Sequence, residues 1–128
     1  MRNFSTVKRV VIKIGTNTLA KDGGVDSGYV ESVARQVAEL LQSGRQVVIV
    51  TSGAIGMGAG QLALEGPVKG MKMRQACAAI GQPLLMHEYH DVFAEQGLIV
   101  AQVLLRFLRT SDVNSTCATM SPCSAKTS

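Results

Sequence analysis

The chain has no tryptophan, and aromatic residues fill only 4% of its 128 positions. Recognition of nucleic acid by stacking bases on aromatic side chains is therefore poorly supported. Thirteen Lys and Arg against nine Asp and Glu leave a formal charge of +4, but these cations never form a run. That pattern describes a solvated, mildly basic surface and not a nucleic-acid patch. The cysteines Cys77, Cys117 and Cys123 are odd in number and lack metal-ligand spacing. Neither a disulfide framework nor a structural metal is expected, which makes a reducing cytoplasm the default compartment. Cys77 lies in an apolar helical stretch and reads as a small core residue. His87 and His90, beside Glu88 and Asp91, supply too few converging ligands for a metal and read as surface or interface residues. No membrane span is expected either, because the uncharged residues 46–64 are broken by glycines, hydroxyls and amides. Lys13 interrupts the early apolar run, and no small-x-small cleavage site follows, so residues 1–20 do not read as a signal peptide.

What is present is concentrated in two segments. Val10-Val11-Ile12-Lys13-Ile14-Gly15-Thr16-Asn17-Thr18 and Val48-Ile49-Val50-Thr51-Ser52-Gly53-Ala54-Ile55-Gly56 are β-branched runs that end in small, hydroxyl-bearing and glycine residues. Such runs read as buried parallel strands, and open α/β sheets bind ligands at the carboxyl ends of their strands. Between them, Asp26 or Ser27 can cap a helix reaching about Ser43, with Val30, Val33, Val37, Leu40 and Leu41 on one stripe and Gly44 closing it. A loop is expected over 15–24, and a glycine-rich turn over 52–60 entering a helix near 61–64. Residues 71–96 read as a long helical stretch, kinked or broken at Pro83, and 98–105 as a third strand. Met57, Met71, Met73 and Met86 read as packing residues. The order is that of a parallel sheet layered with helices.

The candidate chemistry lies at the strand ends. Lys13, just before a Gly-Thr turn, can reach into the ligand crevice and neutralise phosphate charge, or it can simply reach the surface at an edge. Gly15 permits close backbone approach, and Thr16 and Thr18 can donate hydroxyl hydrogen bonds to phosphate oxygens. Ser52-Gly53-Ala54 opens a helix whose first amides and Ser hydroxyl suit a carboxylate or phosphate, the bland alternative being a plain strand-to-helix turn. Gly58-Ala59-Gly60-Gln61-Leu62-Ala63 nominally fits a dinucleotide fingerprint, but it begins too far after the strand, and no acidic residue closes a following strand. A nucleophilic serine is not indicated, and no Gly-x-x-x-x-Gly-Lys-Ser/Thr loop exists.

Three motifs together resemble the amino-acid kinase superfamily, and within it the glutamate 5-kinases. They are Ile12-Lys13-Ile14-Gly15-Thr16-Asn17-Thr18-Leu19, Val50-Thr51-Ser52-Gly53-Ala54-Ile55-Gly56-Met57-Gly58 and Arg74-Gln75-Ala76-Cys77-Ala78-Ala79-Ile80-Gly81-Gln82. The resemblance runs from about Val7 to Leu105. It implies an α/β three-layer sandwich with a mainly parallel sheet, here incomplete at about half a domain. It also implies transfer of the γ-phosphoryl of ATP, bound with Mg²⁺, to the side-chain carboxylate of glutamate. By the resemblance, Lys13 contacts the ATP phosphates with Gly15 and Thr16, and Ser52, Gly53 and Ala54 bind glutamate. Residues 1–105 then form the amino-terminal half of the kinase-like domain. Residues 106–128, without helical or strand periodicity, are expected to be an atypical, disordered tail from an out-of-frame or truncated ending. A catalytically inactive remnant, an association partner pairing through 71–96, and a related kinase with another carboxylate acceptor stay open.

Overall fold

A computed structural model of the chain describes residues 4–21, 24–105 and 117–123. In chain order the elements are β1 (Arg9–Ile14), α1 (Thr16–Leu19), β2 (Ala20–Lys21), β3 (Gly24–Val25), α2 (Ser27–Gln42) and β4 (Gln46–Thr51). They continue with α3 (Ala54–Gln61), α4 (Met71–Glu95), β5 (Ile99–Leu105) and β6 (Cys117–Cys123). Four strands form one sheet in the order β1-β4-β6-β5, and β2 and β3 pair separately. β1 and β4 are parallel, with Lys13 opposite Val50 and Ile14 opposite Thr51. β6 runs antiparallel to both β4 and β5. The architecture is α/β, with the parallel pair β1–β4 at one side of the sheet and antiparallel pairings on the other, where a mainly parallel sheet was expected.

The β1-α2-β4 unit follows from local chemistry. The Asp26 carboxylate accepts from the Tyr29 amide at 3.1 Å and caps α2. Val30, Val33, Ala34 and Val37 turn one stripe of α2 into the core. Gly44, with φ of 78°, then reverses the chain into β4 where a side chain would be strained. The core gathers this stripe with Ile14, Val47 and Ile49 from the sheet and Leu85, Tyr89, Val92 and Phe93 from α4.

Several expectations need correction. The helix after β4 begins at Ala54, directly behind Gly53, and not near residue 61. The loop over 15–24 contains α1 and the β2–β3 pair. Of the kink or break expected at Pro83, the break does not occur: α4 continues through it. Pro83 and Ala79 are both exposed, at the point where the proline leaves the Ala79 carbonyl without its helical donor. β1 is not buried on both faces: Ile12 and Ile14 turn inward, while Val11 is 64% exposed and Lys13 is exposed with it. Met57 and Met86 pack against the core, but Met71 and Met73 are exposed. Residues 117–123, expected in a disordered tail, form a strand paired on both sides. Backbone N–H and C=O groups suffice for such a ladder, so a Ser-, Thr- and Cys-rich composition gives little warning of it. The rest of 106–128, and the side chains of Cys117 and Cys123, lie outside the described residues.

α3 and α4 touch through glycine. A Cβ at Gly58 would overlap the Cys77 carbonyl, and one at Gly81 would overlap the Ala54 carbonyl. The two backbones therefore meet at paired small positions four apart on each helix, which leaves no room for side chains at either point. Gly56, in the same helix, has open space around it. Gly58→Ala and Gly81→Ala should each destabilise the fold by about 1–3 kcal/mol or more. Gly56→Ala should be neutral or stabilising by up to ~1 kcal/mol, because it removes a flexible residue from a helix interior. Denaturant unfolding of the three variants measures the contrast.

Candidate functional site

The parallel register brings both candidate segments to the same end of the sheet. Lys13 lies opposite Val50, two residues before Ser52, and the Ser52 amide donates to the Ile14 carbonyl at 3.2 Å. The Thr16 and Ser52 hydroxyl oxygens are 3.1 Å apart, and the Ser52 hydroxyl also donates to the Ile14 carbonyl at 3.3 Å. With that proton committed, the Thr16 hydroxyl is the donor of the Thr16–Ser52 bond. A ligand carboxylate could recruit the Ser52 proton from a neutral carbonyl, because charge-assisted bonds are the stronger ones. Lys13 is not inside a buried strand as expected. It stands on the sheet's exposed face, and it forms no hydrogen bond or ion pair with any described residue.

Gly53 caps α3 with φ of 119°, a conformation that side chains rarely adopt, and no side chain caps the helix. The first helical bond runs from Met57 N to the Gly53 carbonyl, so the amides of Ala54, Ile55 and Gly56 have no acceptor within the helix. They add the positive end of a helix dipole to the site. A pocket of about 90 Å³ opens beside this turn, lined by Thr16, Leu19, Gly24, Val25, Gly53 and Met57, together with Gly56. At Gly15 a Cβ would meet nothing within 4 Å, so the turn after β1 borders open space. Thr16, Ser52 and Gly53 are thus brought together, half-buried Ala54 starts the helix behind, and Lys13 lies on β1 near the same end of the parallel pair.

Other sequence candidates fall away from this end. Gly58 of the nominal dinucleotide pattern is buried in α3 against α4. His87 and His90 are exposed and lie within 3.4 Å of Asp91 carboxylate oxygens on the α4 surface. Among the described residues no group of three His, Cys, Asp or Glu could hold a metal ion. Also among the described residues, no helix is long and apolar enough to cross a membrane.

Sequence reasoning missed the buried support under the turn. The Tyr89 hydroxyl lies 2.9 Å from that of Thr51, and the Thr51 hydroxyl donates to the Ser52 carbonyl at 3.3 Å. Thr51 is 4% exposed and Tyr89 fully buried, stacked obliquely on Phe93 with ring centroids 5.9 Å apart. A single tyrosine in a long helix carries little signal. Its position on the Cys77, Gly81, Leu85 stripe was the clue available.

Residues 8–121 match the amino acid kinase family. The chain is 48% identical over 103 residues to glutamate 5-kinase of Moorella thermoacetica, covering 80% of this chain and 27% of that protein. Glutamate 5-kinase of Symbiobacterium thermophilum is 50% identical over 99 residues, covering 77% of this chain and 38% of the relative. For Thermus thermophilus glutamate 5-kinase the values are 47% over 105 residues, 82% and 28%. An α/β domain with lysine, hydroxyls and a helix start at one end of a parallel strand pair fits that match over nearly the whole chain. The chain belongs to the amino acid kinase family. It spans between a quarter and two fifths of the length of these curated relatives.

Burial pushes the Tyr89 hydroxyl up to about 12; the Thr51 hydrogen bond pulls the other way, and nearby Tyr29 adds slightly to the rise. The phenol therefore stays protonated and donates to Thr51 across the neutral range. Because the folded value is raised above the unfolded one of ~10, its contribution is complete below pH ~10 and is lost as pH climbs toward 12. Stability should be flat from pH 7 to about 9.5 and then fall, by about 2–3 kcal/mol from this group. Tyr89→Phe should remove that component. Unfolding midpoints against pH, read beside tyrosinate absorbance, check both statements.

Proposed function

We propose that this chain carries the amino-terminal part of a glutamate 5-kinase-type site, which transfers the γ-phosphoryl of ATP to the side-chain carboxylate of glutamate to give glutamyl 5-phosphate, the first step of proline biosynthesis. The observation that carries the reading is the register. It sets Lys13 and the Ser52 turn at one end of paired parallel strands, in a chain 47–50% identical to proteins named glutamate 5-kinase. In this reading Lys13 offsets charge on the ATP phosphates, with Gly15 leaving room and Thr16 donating a hydroxyl. Ser52, Gly53 and Ala54 hold the glutamate carboxylate through the serine hydroxyl and the first amides of α3. ATP and acceptor are both anionic, so their repulsion is a large part of the barrier, and fixed donors lower it. Mg²⁺ would arrive on the nucleotide phosphates, where it offsets charge. Residues 1–105 make up the kinase-like half-domain of a three-layer sandwich, residues 106–128 are an atypical ending, and the setting is the cytoplasm.

A second reading, a kinase remnant that acts by association, is favoured by the exposure of one end of α4. Exposed Met71 and Met73 at the start of α4 support self-association through residues 71–96. ATP- and glutamate-dependent hydroxamate formation tests the first reading. Turnover should drop at least ~100-fold in Lys13→Ala, and acetylglutamate or aspartate should not replace glutamate. Turnover indifferent to Lys13 overturns it, a preference for another acceptor identifies a related kinase, and no turnover by the chain alone favours the second reading. Sedimentation velocity tests the association: Met71→Lys with Met73→Lys should shift a dimer to monomer.

A further inference from the structure

At the end of β4 a chain of hydrogen bonds runs from the core to the turn. The Tyr89 hydroxyl lies 2.9 Å from that of Thr51, which donates to the Ser52 carbonyl at 3.3 Å. Among the described residues no other donor reaches that carbonyl. The Ser52–Gly53 peptide is trans and planar, so a carbonyl held toward Thr51 turns the Gly53 N–H to the opposite side. Gly53 lines the pocket beside the turn, and its amide meets no acceptor among the described residues. Little else fixes this peptide plane. Glycine accepts either sign of φ, and Gly53 stands at 119°. A Cβ there would meet only the tip of the Leu19 side chain, at 3.8 Å, so packing does not clamp the residue. Once its carbonyl is released, the peptide is free to rotate.

We propose that Thr51 and Tyr89 are positioning residues for the acceptor carboxylate, holding the Ser52–Gly53 peptide in the orientation that presents the Gly53 N–H to it. The inference rests on the reading of Ser52, Gly53 and Ala54 as the glutamate site, and it adds two residues that act there without touching the ligand. Thr51 is 4% exposed and Tyr89 is fully buried, so both work through the peptide that follows. The division of protons supports this. With the Tyr89 proton given to the Thr51 oxygen, the single Thr51 proton is left for the Ser52 carbonyl. Two hydroxyls in a site closed to water also strengthen one another. Ser52 is held from its other side as well, since its amide donates to the Ile14 carbonyl at 3.2 Å. The first unpartnered donor beyond this doubly held residue is the Gly53 N–H. Without the Thr51 hydroxyl the peptide divides between two orientations, and a carboxylate is bound only by molecules in one of them.

Titration of the isotope-labelled chain with glutamate, followed by NMR at the Gly53 amide, tests the proposal. Glutamate should move that resonance. Thr51→Val, similar in shape but without the hydroxyl, should shift it in the ligand-free chain and weaken glutamate binding at least ~10-fold, and Tyr89→Phe should weaken binding ~3-fold. Thr51→Ser, which keeps the hydroxyl, should stay within about twofold of the unaltered chain. Val37→Ala, a core change in α2, should lower the unfolding midpoint yet leave affinity unchanged, which separates lost stability from a lost donor orientation. The proposal is overturned if glutamate leaves Gly53 unmoved in the unaltered chain, if Thr51→Val binds as well as the unaltered chain, or if Val37→Ala weakens binding as much. Thr51-dependent binding without hydroxamate formation leaves the positioning intact and counts against the reaction. Lys13-dependent turnover that is indifferent to Thr51→Val does the reverse.

Discussion

The pairing of β1 with β4 is the constraint from which the site follows. Six consecutive pairs from Arg9–Gln46 to Ile14–Thr51 set the ends of two strands level. A slip of one residue would carry Ile12 and Ile14 out of the core and Lys13 into it, at the cost of desolvating an ammonium and exposing two isoleucines. The hydrophobic alternation that places the core therefore also determines which end and which face the lysine occupies. Ser52 inherits its place from the same ladder, because its amide continues the bonding to the Ile14 carbonyl.

A second layer of constraint comes from α4. Its first half lies against α3 at Gly58 and Gly81, and its second half supplies Leu85, Tyr89 and Phe93 to the core beneath the sheet. One helix thus supports both α3, which follows the turn, and the core. Tyr89 links the two roles, since its hydroxyl meets Thr51 at the point where β4 gives way to the turn. The polar pair is buried and each hydroxyl has a partner, which is the condition under which such a pair lends specificity without leaving an unpaired group.

Legibility in the sequence followed the strength of the local signal. α2 was readable because its cap, its stripe and its terminal glycine agree, and Asp26, Val33 and Gly44 all lie where that logic puts them. The strand ends that carry Lys13 and Ser52 were readable from β-branched runs stopping at small residues. The start of α3 was not, since Ala-Ile-Gly-Met-Gly-Ala-Gly has low helix propensity and its stability comes from backbone contact with a helix twenty residues away. A break at Pro83 was expected because local propensity does not register the core packing of Leu85, Tyr89 and Phe93 beyond it. β6 was illegible for a related reason: its partners, not its own side chains, make it a strand. The exposure of Val11 was hidden because a run of Val and Ile reads alike whether one face is covered or two.

β1 lies at one edge of the four-stranded sheet. A strand hydrogen-bonded along a single border opens locally at a lower free-energy cost than one held on both. If such fraying leaves only a fraction of molecules with Lys13 in register, the observed dissociation constant for a phosphate ligand rises in inverse proportion to that fraction. Anything that clamps the free border of β1 would then tighten the binding of an anion at Lys13 without touching the anion.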